Sequence, residues 1–248
     1  MRISVAMATF NGGLYLGEQL DSILCQLGDE DEVVISDDGS SDDTMIIIRE
    51  FMERDGRVRY ERGPREGVIA NFENAIAACK GEYIFLADQD DVWLPDKVQT
   101  VMEQFTGNEK LRLVIHDAKV MTEDLRETMM KSFFAYRGSK PGVINGLIKN
   151  SYMGCCMAFR REVAEIALPI PRNLPMHDQW IGLVSDKFFG KSCFLQQPLL
   201  LYRRHSAAVS DFDHNSVGVM IRNRLMIIFE LLKRIRYIRK ERKYEYNN

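Results

Sequence analysis

Short β-rich runs alternate with longer segments of helical periodicity over about the first hundred residues, and this alternation restricts the fold more than any other feature. Apolar residues predict strands at Ile3 to Thr9, Glu32 to Ser36, Arg57 to Tyr60 and Tyr83 to Ala87. Between the first two strands, apolar residues recur at helical spacing from Leu16 to Leu27. Such alternation is typical of βαβ units. We therefore expect an α/β fold with a mainly parallel central sheet.

The second half of the chain is less regular. Further strands are predicted at Leu111 to Ile115, Cys155 to Phe159 and Phe194 to Tyr202, and helices from Leu94 to Phe105 and His177 to Phe188. Pro198 cannot donate a ladder hydrogen bond, which favours an edge position for the last strand. The stretch from Asp117 to Pro141 is irregular, so we expect a loop-rich insertion, where binding residues often lie.

Composition bounds the class of protein. The chain has 248 residues, of which 46% are hydrophobic and 28% charged, as in a soluble globular protein with one domain and at most a tail. The first strand begins near Met1 and no run of eighteen apolar residues occurs, so we expect a cytoplasmic protein without a secretory signal or membrane span. Five cysteines without a C-x-x-C pair favour reduced core thiols over disulfides or zinc.

An acidic turn directly follows the fourth predicted strand. Asp88-Gln89-Asp90-Asp91 places three carboxylates in four positions, an arrangement that is costly without a cation. Mg²⁺ and Mn²⁺ prefer oxygen ligands and combine one or two carboxylates with substrate phosphates. A solvated acidic turn or a helix cap is the plainer alternative. The position at the carboxyl end of a strand, where ligands of open sheets bind, favours the metal.

A second acidic turn, Asp37-Asp38-Gly39-Ser40-Ser41-Asp42-Asp43, follows the second predicted strand. Parallel strands end at the same edge of a sheet, so we expect both turns on one rim. A carboxylate there can accept a hydrogen bond from a nucleotide base, and glycine allows close backbone approach. Ser41 or Asp42 is also expected to cap the following helix.

Together these segments resemble a known family. Ser4 to Asn11, Asp37 to Ser40, Asn71-Phe72-Glu73 and Gly81 to Lys97 are similar to the family 2 inverting glycosyltransferases of GT-A fold, and more narrowly to bacterial rhamnosyl-, glucosyl- and galactosyltransferases of O-antigen and capsule assembly. The resemblance covers nearly all of residues 1–210. It implies a nucleotide-sugar site formed by Thr9, Asn11, Asp38, Asp88 and Arg204, and Mn²⁺ or Mg²⁺ at the D-x-D acids Asp88 and Asp90. Residue 10 is Phe where many relatives have Tyr.

The third motif is His177-Asp178-Gln179-Trp180, at the start of a predicted helix. The resemblance implies that Asp178 is the catalytic residue, because inverting transfer needs one base to accept the proton of the acceptor hydroxyl. A carboxylate at a helix N-terminus can also be a structural cap.

Leu201-Tyr202-Arg203-Arg204-His205 ends the similar region. The resemblance implies that this basic pair and histidine approach the diphosphate. Arginine suits phosphate, and a neutral imidazole can join a metal shell, so His205 is a candidate metal ligand. The alternative is a surface or internally satisfied histidine.

The C-terminal part has a different charge. Residues 218–248 carry nine Lys or Arg against three Glu, although the net charge of the whole chain is −3. Apolar residues alternate with these cations, which suits a helix on an anionic membrane surface. A helix that closes the core, or a homodimer contact, fits equally well. We expect residues 1–215 to form a GT-A domain, with a nucleotide-binding half at 1–100 and an acceptor half at 101–215, and residues 216–248 to form a basic amphipathic helical tail.

Together with these motifs, the family resemblance implies a metal-dependent inverting transfer of a sugar from a nucleotide diphosphate sugar to a hydroxyl of a lipid-linked saccharide in bacterial surface polysaccharide synthesis. The enzyme would then lie in the cytoplasm or on the inner face of the cytoplasmic membrane, without a nucleic-acid partner. A sugar nucleotidyltransferase is the alternative enzyme, but Gly12-Gly13-Leu14-Tyr15 lacks the basic residue of a phosphate loop. A non-catalytic carbohydrate-binding protein of the same fold is the other alternative, against which the three intact acidic motifs argue.

Overall fold

The computed structural model describes residues 1–205 and 216–245, so residues 206–215 and 246–248 of the predicted domain and tail lie outside the described residues. The described residues form one mixed sheet flanked by helices. The strands are β1 (Ile3–Thr9), β2 (Glu32–Asp37), β3 (Val58–Arg62), β4 (Tyr83–Ala87), β5 (Val92–Trp93), β6 (Leu113–Met121), β7 (Thr128–Met130), β8 (Met157–Arg160) and β9 (Cys193–Arg203). The helices are α1 (Leu16–Leu24), α2 (Thr44–Arg54), α3 (Val68–Ala78), α4 (Lys97–Gly107), α5 (Phe133–Arg137), α6 (Val143–Ile148), α7 (Arg161–Ala167), α8 (His177–Phe188) and α9 (Val217–Glu245).

The first half of the sheet is parallel, as the alternating pattern predicts. Strands lie in the order β3-β2-β1-β4, with each neighbouring pair parallel. Their apolar runs are buried on both faces, because helices cover both sides of such a sheet. The carboxyl ends of β1, β2 and β4 therefore meet at one rim. The α/β class is confirmed.

The second half of the sheet is mixed, so the expected parallel arrangement holds for the first half and for the pair β6 and β9. β8 runs antiparallel to both β4 and β6, whereas β9 runs parallel to β6. Apolar periodicity reports burial and carries no information on strand direction, which is why the sequence did not predict this. β5 pairs with β9 only at Leu200 and Leu201. Pro198 therefore lies in the part of β9 that stays at the edge, as expected.

The stretch from Asp117 to Pro141 is more ordered than the predicted loop-rich insertion. β6 continues to Met121, and β7 and α5 follow. Buried Asp117 accepts hydrogen bonds from the Phe134 N–H at 2.9 Å and from the Ser132 hydroxyl, which fixes the start of α5. Long-range side-chain bonds of this kind leave no periodic signal in a sequence.

The predicted C-terminal helix is α9, which packs against the second half of the domain. Ile227 and Leu231 are buried. Arg224 donates to the Leu147 carbonyl oxygen at 3.1 Å, and Arg234 donates to the carbonyl oxygens of Ile166 and Leu168 at 2.8 and 2.6 Å. Within the described ranges, every helix is too short or too polar to cross a bilayer.

Candidate active site

The loop after β1 is joined to the acidic turn after β4. The Phe10 N–H donates to Gln89 Oε1 at 2.9 Å, and Gln89 Nε2 donates back to the Phe10 carbonyl oxygen at 3.1 Å. A Cβ on Gly12 would lie only 2.3 Å from Gln89 Oε1, so a larger residue here would displace the Gln89 side chain from these two bonds. Gln89, between two acids of the turn, therefore aligns the first and fourth strand ends.

The same loop is joined to the turn after β2. The Asn11 N–H donates to Ser40 Oγ at 2.8 Å, and Asn11 Oδ1 accepts from the Ser41 N–H at 2.9 Å. Asn11 has a φ of 51°, a left-handed conformation in which Asn is enriched among residues with a side chain. The expected convergence of the two acidic turns on one rim is therefore confirmed.

Asp37 and Asp38 have different roles within the second turn. Asp37 is buried and accepts hydrogen bonds from the Gly39 and Ser40 N–H groups at 3.0 and 2.9 Å. The Thr9 hydroxyl also donates to Asp37, at 3.0 Å, and Thr9 is only 1% exposed. Thr9 thus lies beneath the rim and supports the turn from inside. Sequence reasoning missed Asp37, because adjacent acids look equivalent until the strand pleat orients them.

Asp38 lies on the rim itself. Its two carboxylate oxygens accept from the N–H groups of Arg65 and Gly67, at 2.7 and 2.9 Å, and so hold the segment that leads into α3. Asp42 accepts from the Thr44 N–H at the start of α2, at 3.1 Å, but the N-cap position expected for Ser41 or Asp42 belongs to Asp43, without a side-chain cap bond. The rim of the second turn is thus fixed by its own carboxylates.

The acidic turn after β4 is crowded and partly desolvated. Burial, with the nearby charges of Asp90 and Asp178, raises the pKa of half-buried Asp88 to about 7. Asp91 is fully buried, and its Oδ1 accepts from the Arg203 N–H at 3.0 Å. Its Oδ2 has no hydrogen-bond partner among the described residues. Burial and the charges of Asp90 and Asp88 raise the pKa of the Asp91 carboxyl well above its ordinary value, so either a proton or a bound cation relieves the cost of burying this group.

Several candidate ligand atoms converge around this turn. One atom each of Asp88, Asp91 and Cys155 lies within 4.8 Å of the others. Burial raises the pKa of the Cys155 thiol well above its ordinary value, so it stays protonated and is a poor ligand. His205 Nε2 lies 2.8 Å from Asp90 Oδ2. The clustered donors that remain are carboxylate oxygens of Asp88 and Asp91, which fits Mg²⁺ or Mn²⁺, and His205 contacts the turn through Asp90.

A buried lysine lies beneath the acids. Lys97 is 1% exposed, its Nζ donates to the Cys155 carbonyl oxygen at 2.9 Å, and it lies 3.8 Å from the centre of the Trp93 ring. Burial lowers the pKa of Lys97 to about 8. The charges of Asp91 and Asp88 raise this pKa and so oppose the effect of burial. This ammonium partly balances the turn from below. Sequence reasoning gave it no role, because nothing in a helix-start lysine indicates burial.

Asp178 faces the same turn from the first turn of α8. It is 6% exposed, and burial raises the pKa of its carboxyl to about 6. Oδ1 accepts from the Gln179 N–H at 2.5 Å and from Asn150 Nδ2 at 3.4 Å. The cap position itself belongs to Met176, without a side-chain cap bond. The charge of Asp178 contributes to the raised pKa of Asp88, so the third motif and the acidic turn share one site.

His177 packs behind Asp178 as a neutral ring. It stacks on Phe72 at a centroid distance of 4.0 Å and is 2% exposed. Burial lowers the pKa of His177 to about 3. Its role is therefore to fill the space between α3 and α8, so that Asp178 alone of this pair presents a charge.

Arg203, which the sequence predicts to approach the diphosphate together with Arg204, instead bonds to groups of the protein. Its Nε donates to the Asp90 carbonyl oxygen at 2.8 Å, and its two terminal nitrogens donate to the Glu123 carbonyl oxygen and the Glu18 carboxylate. The guanidinium also lies 4.7 Å from the centre of the Tyr15 ring. Arg203 is 5% exposed, so it fastens the turn rather than projecting into solvent.

Arg204 and His205 directly follow the end of β9. The sequence predicts that Arg204 contacts phosphate and that His205 binds the metal. The Arg204 N–H donates to the Met121 carbonyl oxygen at 3.0 Å, and its side chain is half-buried. The His205 ring lies 4.9 Å from that of Tyr15, whose pKa is raised to about 12 by burial and by its hydrogen bond to Glu123. The structure thus gathers Asn11, Asp38, Asp88, Asp90, Asp178 and His205 around the carboxyl rim, with Thr9 beneath it.

Known proteins resemble most of this chain. The family model described as Glycosyl transferase family 2 matches residues 4–166. An uncharacterized glycosyltransferase from Nostoc sp. is 29% identical over 84% of this chain and 66% of its own length. The GalNAc(5)-diNAcBac-PP-undecaprenol beta-1,3-glucosyltransferase of Campylobacter jejuni is 30% identical over 42% of this chain and 34% of its own length. The chain thus spans at most 66% of the length of these two relatives.

Two solved structures share the fold. Residues 1–349 of TarS from S. aureus, in complex with UDP-GlcNAc, match with a TM-score of 0.71 at 16% identity, over 94% of this chain and 67% of that chain. The mannosyltransferase PcManGT from Pyrobaculum calidifontis, in complex with GDP-Man and Mn²⁺, matches with a TM-score of 0.62 at 18% identity, over 94% and 64%. At these identities the likeness concerns the fold alone, and the predicted GT-A type fold is confirmed.

Proposed function

The chain belongs to glycosyltransferase family 2, and we propose that it transfers a sugar, with inversion, from a nucleotide diphosphate sugar to a hydroxyl of a lipid-linked saccharide in bacterial surface polysaccharide synthesis. One observation carries this proposal: Asp178 packs against Gly154, where an added Cβ would lie 3.6 Å from Asp178 Cβ, and the sulfur of the next residue, Cys155, lies within 4.8 Å of a carboxylate oxygen of Asp88. A proton acceptor is thereby set beside a site for a diphosphate. The undecaprenol-linked substrate in the name of the Campylobacter relative supports the choice of acceptor class.

The donor would lie along the rim formed by the first hundred residues. Asn11 and Asp38 would contact the nucleotide, with Thr9 supporting the turn through Asp37. Asp88, Asp90 and His205 would hold a Mn²⁺ or Mg²⁺ ion, and Arg204 would approach the diphosphate. When bound, such an ion supplies positive charge that stabilises the departing nucleotide diphosphate. Residues 101–205 would form the described part of the acceptor half.

Asp178 would act as the base. Its carboxylate accepts the proton of the acceptor hydroxyl while the hydroxyl oxygen forms a bond to the anomeric carbon, and the bond from that carbon to the diphosphate oxygen breaks on the opposite face. A carboxyl pKa of about 6 keeps the group ionised at neutral pH and makes it a stronger base than an exposed aspartate. Asn150, at 3.4 Å from Oδ1, would keep this carboxylate oriented.

The test is a transfer assay with the purified chain. A panel of nucleotide sugars is incubated with an undecaprenyl diphosphate-linked saccharide, with and without Mn²⁺, and the glycosylated lipid and released nucleotide diphosphate are measured. We expect metal-dependent transfer by the wild type, and donor binding without transfer by Asp178→Asn. Asp29→Asn, an exposed acid before β2, is the matched control and should retain full activity.

Other outcomes would overturn the proposal. Cleavage of the donor between its phosphates, or its synthesis from a sugar phosphate, would indicate a nucleotidyltransferase. Donor or saccharide binding without turnover under every condition would indicate a binding protein. Wild-type transfer by Asp178→Asn would remove Asp178 as the base, and full activity after exhaustive chelation would remove the metal.

A further inference from the structure

The orientation of α9 on the domain is fixed by one face of the helix. Ile227 and Leu231 are buried, and the Arg224 and Arg234 side chains donate to backbone carbonyl oxygens of the second half of the domain. Arg234 also lies 5.6 Å from the centre of the buried Trp180 ring. These contacts within the chain set the rotation of α9 about its own axis.

The opposite face of α9 carries a stripe of exposed apolar side chains. Its members recur at helical spacing and are exposed by 38–62%: Ile221, Leu225, Ile228, Phe229 and Leu232. At about 100° per residue they lie on one side of the helix, away from Ile227. Contiguous exposed apolar surface of this kind marks an interaction site in a soluble domain. We call these five residues the α9 stripe.

Exposed cationic side chains lie beside the α9 stripe and on the same side of the helix in the turns that follow it. Arg222 and Lys233 are exposed beside it, and Arg236, Arg239 and Lys240 are exposed on the following turns. The two acids of α9 whose side chains the structure describes lie away from the stripe. Glu230 is 12% exposed and paired with Lys233 at 3.0 Å, and Glu241 falls on the opposite side of the helix from Leu225 at about 100° per residue. The exposed face is therefore apolar for its first turns and cationic for the next.

Helix α6, which is hydrogen-bonded to Arg224 of α9, carries two further exposed isoleucines. Its Ile144 and Ile148 are 73% and 63% exposed. Ile148 adjoins α9, because Arg224 Nε donates to its carbonyl oxygen at 3.1 Å. Asn150 follows two residues later and lies 3.4 Å from Asp178 Oδ1. The segment from Ile148 to Asn150 thus connects the contact with α9 to the candidate base.

We propose that the α9 stripe, with Ile144 and Ile148, docks on the surface of an anionic lipid bilayer. The apolar side chains enter the boundary between headgroups and acyl chains, and the flanking cations pair with lipid phosphates. A second copy of this chain is the weaker occupant, because it would bring the same cations together. Where the acceptor is concerned, the inference rests on the proposed function: docking by this face presents the Asp178 side of the site to a saccharide carried on a membrane lipid.

Vesicle flotation with the full chain tests this surface without any donor or acceptor. The probes are vesicles of phosphatidylcholine alone, and vesicles with about one third phosphatidylglycerol. We expect binding to the anionic vesicles that weakens at high salt, and little binding to the neutral ones. Leu225→Glu and Phe229→Glu should each lower the partition coefficient by about tenfold or more, because each removes a large apolar group from the membrane boundary.

A matched control separates this surface from general hydrophobicity. Ile46→Glu alters an isoleucine that is 55% exposed on α2, and it should bind vesicles as the wild type does. Circular dichroism checks the fold of every variant. Equal binding by wild type and the α9 variants, or no binding of the wild type to anionic vesicles, overturns the proposal. A wild-type dimer that becomes monomeric in Leu225→Glu without vesicles overturns it in favour of a second copy.

The outcomes also separate this inference from the proposed function. Sugar transfer to a soluble acceptor should be unchanged in Leu225→Glu, since no residue of the α9 stripe lies in the candidate active site. Vesicle binding by a chain that transfers no sugar would leave the docking surface standing and remove the transferase. Sugar transfer by a chain that does not bind vesicles would support the transferase and overturn the docking surface.

Discussion

His205 Nε2 lies 2.8 Å from Asp90 Oδ2. This hydrogen bond joins the segment after β9 to the acidic turn after β4. Both side chains are largely buried, at 8% and 18% exposure. An imidazole so placed either orients the carboxylate or joins it as a ligand. We expect His205→Ala to weaken Mn²⁺ binding by about 10- to 100-fold, as loss of a ligand or its supporting partner does. A direct Mn²⁺ titration measures this, and an unchanged Kd would exclude His205 from the metal site.

Protons and metal ions should compete at Asp88. Its folded-state pKa of about 7 lies above the ordinary 3.8, so the folded chain binds a proton more tightly than the unfolded chain. Without metal, stability from this group is therefore greatest at low pH and is lost as pH rises through about 7. We expect Mn²⁺ to raise the Tm more at about pH 8 than at about pH 5.5, where a proton already occupies the carboxyl. Differential scanning fluorimetry measures both shifts.

Asp88→Asn is the control for this competition. It removes the titrating group, so the stability of the metal-free variant should change less between about pH 5.5 and 8 than that of the wild type. Equal Mn²⁺ stabilisation of the wild type at both pH values would show that Asp88 does not bind the ion.

The pH dependence of transfer should report Asp178. Only the carboxylate can accept a proton, and burial raises its pKa to about 6. At saturating Mn²⁺, which keeps Asp88 ionised, we expect kcat/KM to fall as pH drops below about 6, along a curve for one ionisation, and to level off above about 7. Asp178→Asn should lower kcat by about 100- to 10,000-fold, the usual contribution of a general base, with donor affinity retained. A wild-type profile that is flat from about pH 5 to 8 would contradict this assignment.

Local pattern was enough to predict the elements that deliver the site. Tyr83–Ala87 and His177–Phe188 have the bounds that the sequence indicates, because apolar runs and helical spacing end at the acidic turn and at Phe188. The direction of β8 was not predictable, because its pattern of apolar residues is the same for a parallel and an antiparallel strand. Nor was Asp37 distinguishable from Asp38, because only the folded turn shows that Asp37 points inwards.

Arg203 shows the other limit of sequence reasoning. Its partner Glu18 is 185 residues away in the chain, so no spacing rule connects the two residues. In the sequence Arg203 and Arg204 form a pair with one expected role. In the structure, Arg203 is buried and fully engaged with the acidic turn, α1 and the segment after β6, which makes it a positioning residue.

Arg203→Lys should therefore impair the site without changing the charge of the chain. A lysine ammonium has no planar fork, so it cannot donate to the Asp90 carbonyl, the Glu123 carbonyl and Glu18 together. Each lost bond to a charged group contributes about 1.5–3 kcal/mol, so we expect a lower Tm and weaker Mn²⁺ binding. Arg112→Lys, which alters a more exposed Arg–Glu pair, is the matched control and should leave Mn²⁺ affinity unchanged.

Comparing the change in Tm with the change in Mn²⁺ affinity shows whether Arg203 positions the acidic turn or only stabilises the fold. Glu18 is 57% exposed, so Glu18→Gln should cost less stability than Arg203→Lys while the guanidinium keeps its bond to the Asp90 carbonyl. If Arg203 positions the turn, Mn²⁺ affinity should fall in Arg203→Lys and stay near wild type in Glu18→Gln, even at temperatures where both variants are fully folded. A fully folded Arg203→Lys variant with wild-type Mn²⁺ affinity would show that the acidic turn keeps its shape without this clamp.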